Sequence, residues 1–184
     1  MGIISVLMIA IGLAMDSLAV SISGGIVMQP FRMSQSLRLA LTMGIFQGGM
    51  TLLGWLLGVS FSSYITAFDH WIAFILLGFL GGKMIYESFE EEETTISSFS
   101  NKTLITLGIA TSIDALAVGV SMAFLKTSIY FPAFMIGFVT FTLSLLGVIC
   151  GYRFGKIKGI NVELLGGIIL IAIGIKILVE HLTE

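Results

Sequence analysis

Apolar residues run through this chain in long blocks, with short polar interruptions, and do not alternate residue by residue. Such blocks are too long for strands and match bilayer-crossing helices, each of which needs about 20 mostly apolar residues. Six segments are predicted, at about 3–24, 37–60, 71–88, 103–125, 130–151 and 162–181. The links between them are short. The longest, around "ESFEEEETTISSFSNK", is polar and acidic and falls at the middle of the chain. The expected fold class is an all-α polytopic membrane protein with six transmembrane helices.

Composition agrees. Of 184 residues, 57% are hydrophobic and 11% charged, against about 25% charged in a soluble domain. A net charge of −2 points to no particular partner. Basic patches interleaved with aromatics are absent, which excludes nucleic-acid binding. The single cysteine, Cys150, makes neither an internal disulfide nor a thiolate metal cluster. The start, "MGIISVLMIA", lacks a basic region, and its apolar run contains Asp16, which argues against a cleaved signal peptide. Basic residues set the orientation. Arg32 lies in the first link and Arg38 at its edge, Lys102 in the third and Arg153, Lys156 and Lys158 in the fifth, whereas the second and fourth hold only Lys126. The odd links are therefore expected in the cytoplasm and both termini outside.

The chain repeats itself. "DSLAVSIS" at Asp16 aligns with "DALAVGVS" at Asp114, 98 residues on. Gly44, Gln47, Thr51, Gly54 and Gly58 in the second segment match Gly137, Thr140, Ser144, Gly147 and Gly151 in the fifth, each 93 residues on. Lys83 and Glu87 match Lys176 and Glu180 at the same offset. Three crossings per half is an odd number, so the second half is expected to be inverted. The organisation read from this is a three-helix repeat at 1–89, an acidic cytoplasmic linker at 90–102 and an inverted three-helix repeat at 103–184. A 3+3 inverted repeat is a common transporter plan, with the site near the midplane.

Two aspartates stand out in this setting. Asp16 lies about 20 Å along its helix at 1.5 Å per residue, inside a hydrocarbon core of ~30 Å. A central aspartate costs about 2.5–3.5 kcal/mol on insertion scales, and such residues face the bundle interior and mark pathways or relays. Gly12, Asp16, Ala19 and Ser23 share one helix face, as do Ala110, Asp114, Ala117 and Ser121. The small residues allow close helix packing. Packing alone accounts for Gly12, Gly44 and Gly137, but not for the polar strip of Gln47, Thr51, Thr140 and Ser144. Two carboxylates, an amide carbonyl and several hydroxyls are hard donors, suited to Mg²⁺, Ca²⁺ or Mn²⁺. His70 and His181 lie outside the helix cores. The i, i+4 pairs Lys83–Glu87 and Lys176–Glu180 read as ion pairs near helix ends, or as charges that balance the aspartates when no cation is bound. The run Glu90 to Glu93 reads as a solvated loop.

"MDSLAVSISGG", "SIDALAVGVSMAFL" and "WIAFILLGFLGGKMIYE" resemble the MntP-type manganese efflux pumps, a bacterial inner-membrane family related to the LysE-type exporters. The resemblance covers essentially the whole chain. It implies manganese as the cargo, Asp16 and Asp114 as essential positions, and Gly25 in "SGG" as a family glycine. Gln47 falls where relatives carry an acidic residue or its amide.

The function expected is a secondary transporter, not an enzyme, that exports Mn²⁺ across the bacterial plasma membrane. No cofactor is expected. No P-loop "GxxxxGK[ST]" is present, so proton exchange is the expected energy source. In that mechanism the ionised aspartates take the metal inside and release it on protonation outside. Export of a cationic amino acid or of another divalent metal stays open, as does a homodimer. An intramembrane aspartyl protease fits less well, because "TSI" and not "GxG" precedes Asp114.

Overall fold

The structure, a computed structural model, describes residues 2–28, 30–62 and 99–154, together with 75, 78, 79, 82, 86 and 175. Within them lie four α-helices and no strand: α1 (Ile3–Val27), α2 (Met33–Ser62), α3 (Asn101–Phe124) and α4 (Tyr130–Phe154). They correspond to the first, second, fourth and fifth predicted segments, and each is long and apolar enough to cross a membrane. The segments at 71–88 and 162–181, most of the acidic linker, and Lys83, Glu87, Lys176 and Glu180 lie outside the described residues.

Local chemistry sets the helix ends. Pro30 lies in the link between α1 and α2, where it cannot continue a helix. At the start of α3 the Ser100 side chain accepts a hydrogen bond from the Thr103 amide at 3.2 Å, satisfying one of the donors a helix N-terminus leaves over. The far end of α3 closes as a Schellman motif: Thr127 N–H donates to Met122 O and Lys126 N–H to Ala123 O. Lys126 carries the positive φ, 52°, that this motif requires. Trp55 on α2 ties into the turn, its indole N–H donating to Thr127 O at 3.2 Å. Pro132 sits in the first turn of α4, where its missing N–H would have no helical partner.

Neighbours in sequence are not the main neighbours in space. α1 packs chiefly on α4, and α2 on both α3 and α4; the α1–α2 and α1–α3 contacts are slight. The glycine contacts give the directions. Leu18 and Ser21 meet Gly147, Ile22 meets Gly151, and Gly25 meets Val148 and Tyr152, so α1 and α4 run parallel. Phe46 meets Gly108, Gly54 meets Leu116 and Gly58 meets Val120, so α2 and α3 also run parallel. Gly44 meets Gly137 and Phe141 while Gly48 meets Ala133, so α2 and α4 are antiparallel. α1 and α3 therefore point in opposite directions.

These contacts obey the sequence offsets. Shifted by 98 and 93 residues respectively, Leu18–Gly147 corresponds to Leu116–Gly54, and Ile22–Gly151 to Val120–Gly58. Gly44–Gly137 corresponds to itself: a Cβ on Gly44 would lie 2.8 Å from Gly137 O, and one on Gly137 would lie 2.9 Å from Gly44 O. The helix directions also gather Arg32, Arg38, Lys102 and Arg153 at one end of the bundle. Lys126 is at the other.

The core has two apolar clusters. One joins Ile9, Ala10 and Leu13 of α1 to Ala115, Val118 and Met122 of α3 and to Ala133 and Ile136 of α4. The other joins Val20 and Met28 of α1 to Leu39 and Met43 of α2, Leu104 of α3 and Val148 of α4.

Candidate functional site

Each helix passes from one apolar cluster to the other through polar residues. On α1, Asp16 and Ser17 lie between Leu13 and Val20; on α2, Gln47 follows Met43 by one turn. On α3, Thr111, Ser112 and Asp114 lie between Leu104 and Ala115; on α4, Thr140 and Ser144 lie between Ile136 and Val148. The result is a polar layer across the bundle interior, closed above and below by hydrocarbon.

Asp114 is 5% exposed, deep in this layer, whereas Asp16 is half-buried. Gln47 is wholly buried and bridges two helices: its Nε2 donates to Leu13 O on α1 at 2.9 Å. That bond fixes the amide, and Oε1, an acceptor, is left with no hydrogen-bond partner. The Thr51 hydroxyl donates to Gln47 O at 2.8 Å and that of Ser121 to Ala117 O at 3.0 Å, both within their own helices. Thr111 and Ser112 likewise donate to Leu107 O and Ile109 O. These bonds occupy the protons and leave oxygen lone pairs able to face a cation.

The hydroxyls of Ser17, Ser21, Thr140 and Ser144 are wholly buried and have no hydrogen-bond partner. A buried polar group left unsatisfied costs about 1–3 kcal/mol, so such a concentration points to a polar ligand in the layer. Among the described residues there is no group of three or more His, Cys, Asp or Glu side chains able to hold a metal. A cation here would depend on few charges and many neutral oxygens.

The structure brings Asp114, Gln47, Thr51, Thr140, Ser144 and Ser121 into the buried interior, with Ser23 half-buried beside it. Gly12 and Gly44 are buried, and Gly137 is half-buried against Gly44. Gly25 lies so close to Val148 that a Cβ would overlap the backbone carbonyl. Ser17 and Ser21 escaped the sequence reading, which placed the inner face of α1 on Gly12, Asp16, Ala19 and Ser23. The signal was present: Ala10, Ala14, Ser17, Ser21 and Gly24 form a second small-residue stripe at spacings of four and three, and all are buried.

The comparisons agree with this picture. Residues 30–178 match the family model described as "Mntp: Putative manganese efflux pump". A protein of Parabacteroides distasonis named "Putative manganese efflux pump MntP" is 54% identical over 182 residues, covering 97% of each chain. One of the same name from Crocosphaera subtropica is 47% identical, over 100% of this chain and 99% of its own. "Putative manganese efflux pump MntP 2" of Clostridium botulinum strain Hall is 48% identical, over 98% and 96%. No solved structure matches. The family is one of transporters, not enzymes. With four membrane-length helices and a match over essentially its whole length, the chain is an integral membrane protein and belongs to the MntP family of putative manganese efflux pumps.

Proposed function

We propose that this protein exports Mn²⁺ from the cytoplasm through the polar layer, in exchange for protons. One observation carries the reading: a belt of buried oxygen atoms, including a carboxylate and an orphaned amide carbonyl, sits between two apolar clusters at mid-length of membrane-spanning helices. Apart from the Met43 thioether, which accepts from the Thr111 hydroxyl at 3.5 Å, the described donors of the layer are oxygens; these suit a hard divalent ion, and the relatives' names supply manganese. Asp16 and Asp114 provide the charge and Gln47 Oε1 a neutral ligand. Thr51 adds a hydroxyl oxygen, and Thr140 and Ser144 act through bound water; Ser23 and Ser121, about 10 Å along their helices from the aspartates and towards opposite ends, line the path of the ion.

The six-helix, 3+3 inverted repeat belongs to this proposal. It is supported by the opposed directions of α1 and α3 and of α2 and α4, and by glycine contacts that recur at the sequence offsets. α2 leaves the bundle at the end opposite to the one where α3 enters, as an odd number of crossings between them requires. The basic end carrying Arg32, Arg38, Lys102 and Arg153 then faces the cytoplasm of a bacterial plasma membrane, with both chain termini outside. Alternating access would move the halves about the Gly44–Gly137 contact. Outward movement of a 2+ ion against 100 mV, inside negative, costs about 4.6 kcal/mol. Inward movement of protons down their gradient would offset it, with the aspartates releasing metal as they protonate.

The test uses purified protein in proteoliposomes. Manganese flux and proton counterflux are measured for wild type, Asp16→Asn and Asp114→Asn, with cadmium, magnesium and lysine as competitors. The reading predicts manganese flux with opposite proton flow, lost in both variants and insensitive to lysine. Wild-type flux in both variants would refute the site.

A further inference from the structure

The orphaned hydroxyls are not spread evenly over the layer. Ser17 and Ser21 lie one turn apart on α1, and Thr140 and Ser144 one turn apart on α4; all four are fully buried. α1 and α4 run parallel, and Ser21 packs against Gly147, three residues beyond Ser144. The four hydroxyls thus line one interface over about 10 Å, the seven-residue rise from Thr140 to the level of Gly147, where Ser21 packs. At the corresponding α2–α3 interface the counterparts of Ser17 and Ser21 are Ala115 and Gly119. There Gly119 presses on the Thr51 backbone, and the Thr51 hydroxyl is bonded within its own helix. One interface holds four unsatisfied hydroxyls; its counterpart holds none among the described residues, and the orphaned Gln47 Oε1, at the place of Thr140, belongs to a side chain that reaches α1.

We propose that the α1–α4 interface holds a bound-water site, lined by Ser17, Ser21, Thr140 and Ser144, that hydrates the polar layer. Each hydroxyl offers one donor and two acceptor positions, so a short chain of waters satisfies all four. Buried waters in proteins occupy this kind of polar setting. A metal ion without its water would be a poor occupant, because none of the four groups carries charge and a buried cation needs countercharge. Val148 of the second apolar cluster, beside Gly25, closes the site towards the end where α1 and α4 finish. In transport, these waters keep the ion partly hydrated as it reaches Gln47 and the aspartates. That role rests on the function proposed above; the water site itself does not.

The experiment separates the two. Protein in lipid nanodiscs is exposed to a millisecond X-ray pulse, and hydroxyl radicals formed from bound water label nearby side chains. Leu18, against Gly147 in the proposed wet interface, is compared with its counterpart Leu116, against Gly54 in the dry one; both are half-buried. Labelling at Leu18 at least threefold above Leu116, falling to the Leu116 level in Ser17→Ala/Ser144→Ala, is the expected result. Ser144→Thr, which keeps a hydroxyl, retains the label. Equal labelling at Leu18 and Leu116, or a label unchanged in the double variant, overturns the water site whatever the protein transports. In proteoliposomes the double variant is expected to lose at least tenfold in manganese flux, and Ser144→Thr less than threefold. If wild type labels as expected but carries no manganese, the water site stands and the function does not.

Discussion

The α1–α4 and α2–α3 interfaces have the same backbone plan and different linings. In each, two parallel helices meet where glycine on one leaves room for a carbonyl on the other: Gly151 under Ile22, Gly58 under Val120. Their side chains have diverged. Ser17 and Ser21 of the first interface correspond to Ala115 and Gly119 of the second, and Gln47 corresponds to Thr140. Positions where backbones touch match at these offsets, and positions that face the polar layer differ. Backbone contact tolerates almost no substitution, because a single Cβ there overlaps a main-chain atom. A site in the layer gains from asymmetry, since an ion must approach from one side and leave by the other.

The sharpest way to break the comparison is to treat the two aspartates as equals. Asp16→Asn and Asp114→Asn each remove half of the described carboxylate charge in the layer. Manganese flux is expected to fall at least about 100-fold in both, the upper end of what losing even an outer-sphere partner costs. Lengthening the side chain separates them. Asp114 is 5% exposed, so Asp114→Glu must force a methylene into a packed interior and is expected to lose on the order of tenfold or more in flux. Asp16 is half-buried, and Asp16→Glu is expected to stay within about threefold of wild type, because its side chain has room to move. Equal loss in the two glutamate variants would show that burial does not distinguish the halves.

Next in size are the glycines that hold the shared backbone plan. Gly54 of the α2–α3 interface and Gly151 of the α1–α4 interface make equally close approaches, to Leu116 and Ile22, and in both a Cβ overlaps the facing carbonyl. Gly54→Ala and Gly151→Ala are each expected to destabilise by about 1–3 kcal/mol, by overpacking, and by similar amounts. Gly49→Ala is the control. Nothing lies within 4 Å of its added Cβ, and the better helix propensity of alanine is expected to stabilise it by up to about 1 kcal/mol. Thermal unfolding in one detergent checks all three. A large difference between the Gly54 and Gly151 variants would mean that equally close contacts in the two interfaces do not bear equal loads.

Much of this was legible in the sequence, for identifiable reasons. Block length gave the four described helices, since a bilayer core demands a minimum run of apolar residues. The offsets of 98 and 93 anticipated which residues correspond, and Gly44 and Gly137, marked as packing residues, do meet. Two things were hidden. The first was which stripe of α1 faces inward. A helix that is apolar all round gives periodicity little to choose between Gly12–Asp16–Ala19–Ser23 and Ala10–Ala14–Ser17–Ser21, and the choice is made by where the α4 backbone comes close. The second was partner choice. Short links suggest that sequence neighbours pack together, yet α1 barely touches α2. The glycines of α2 and α4 admit helices from the other half, and close backbone approach outweighs proximity along the chain.

The smallest expected effect concerns the helix ends, where the halves differ most in backbone. Met28 ends α1 and Lys126 ends α3, 98 residues apart and thus in corresponding places. Met28 has φ −73°, and its buried sulfur accepts from Ser36 Oγ at 3.5 Å. Lys126 has φ 52°, a left-handed conformation that costs a residue with a Cβ roughly 1–2 kcal/mol. Lys126→Gly removes that cost and keeps both Schellman hydrogen bonds, which use backbone atoms alone. The greater freedom of glycine in the unfolded chain gives back roughly 0.5–1 kcal/mol. The net expectation is a gain of about 0.5 kcal/mol, read as a small rise in the unfolding midpoint. Met28→Gly has no strain to relieve and loses a buried side chain, so it is expected to destabilise by about 2–5 kcal/mol. Opposite signs at corresponding residues would confirm that the two halves end these helices by different means. A fall in stability for Lys126→Gly would show that the lysine side chain contributes more than its backbone strain costs.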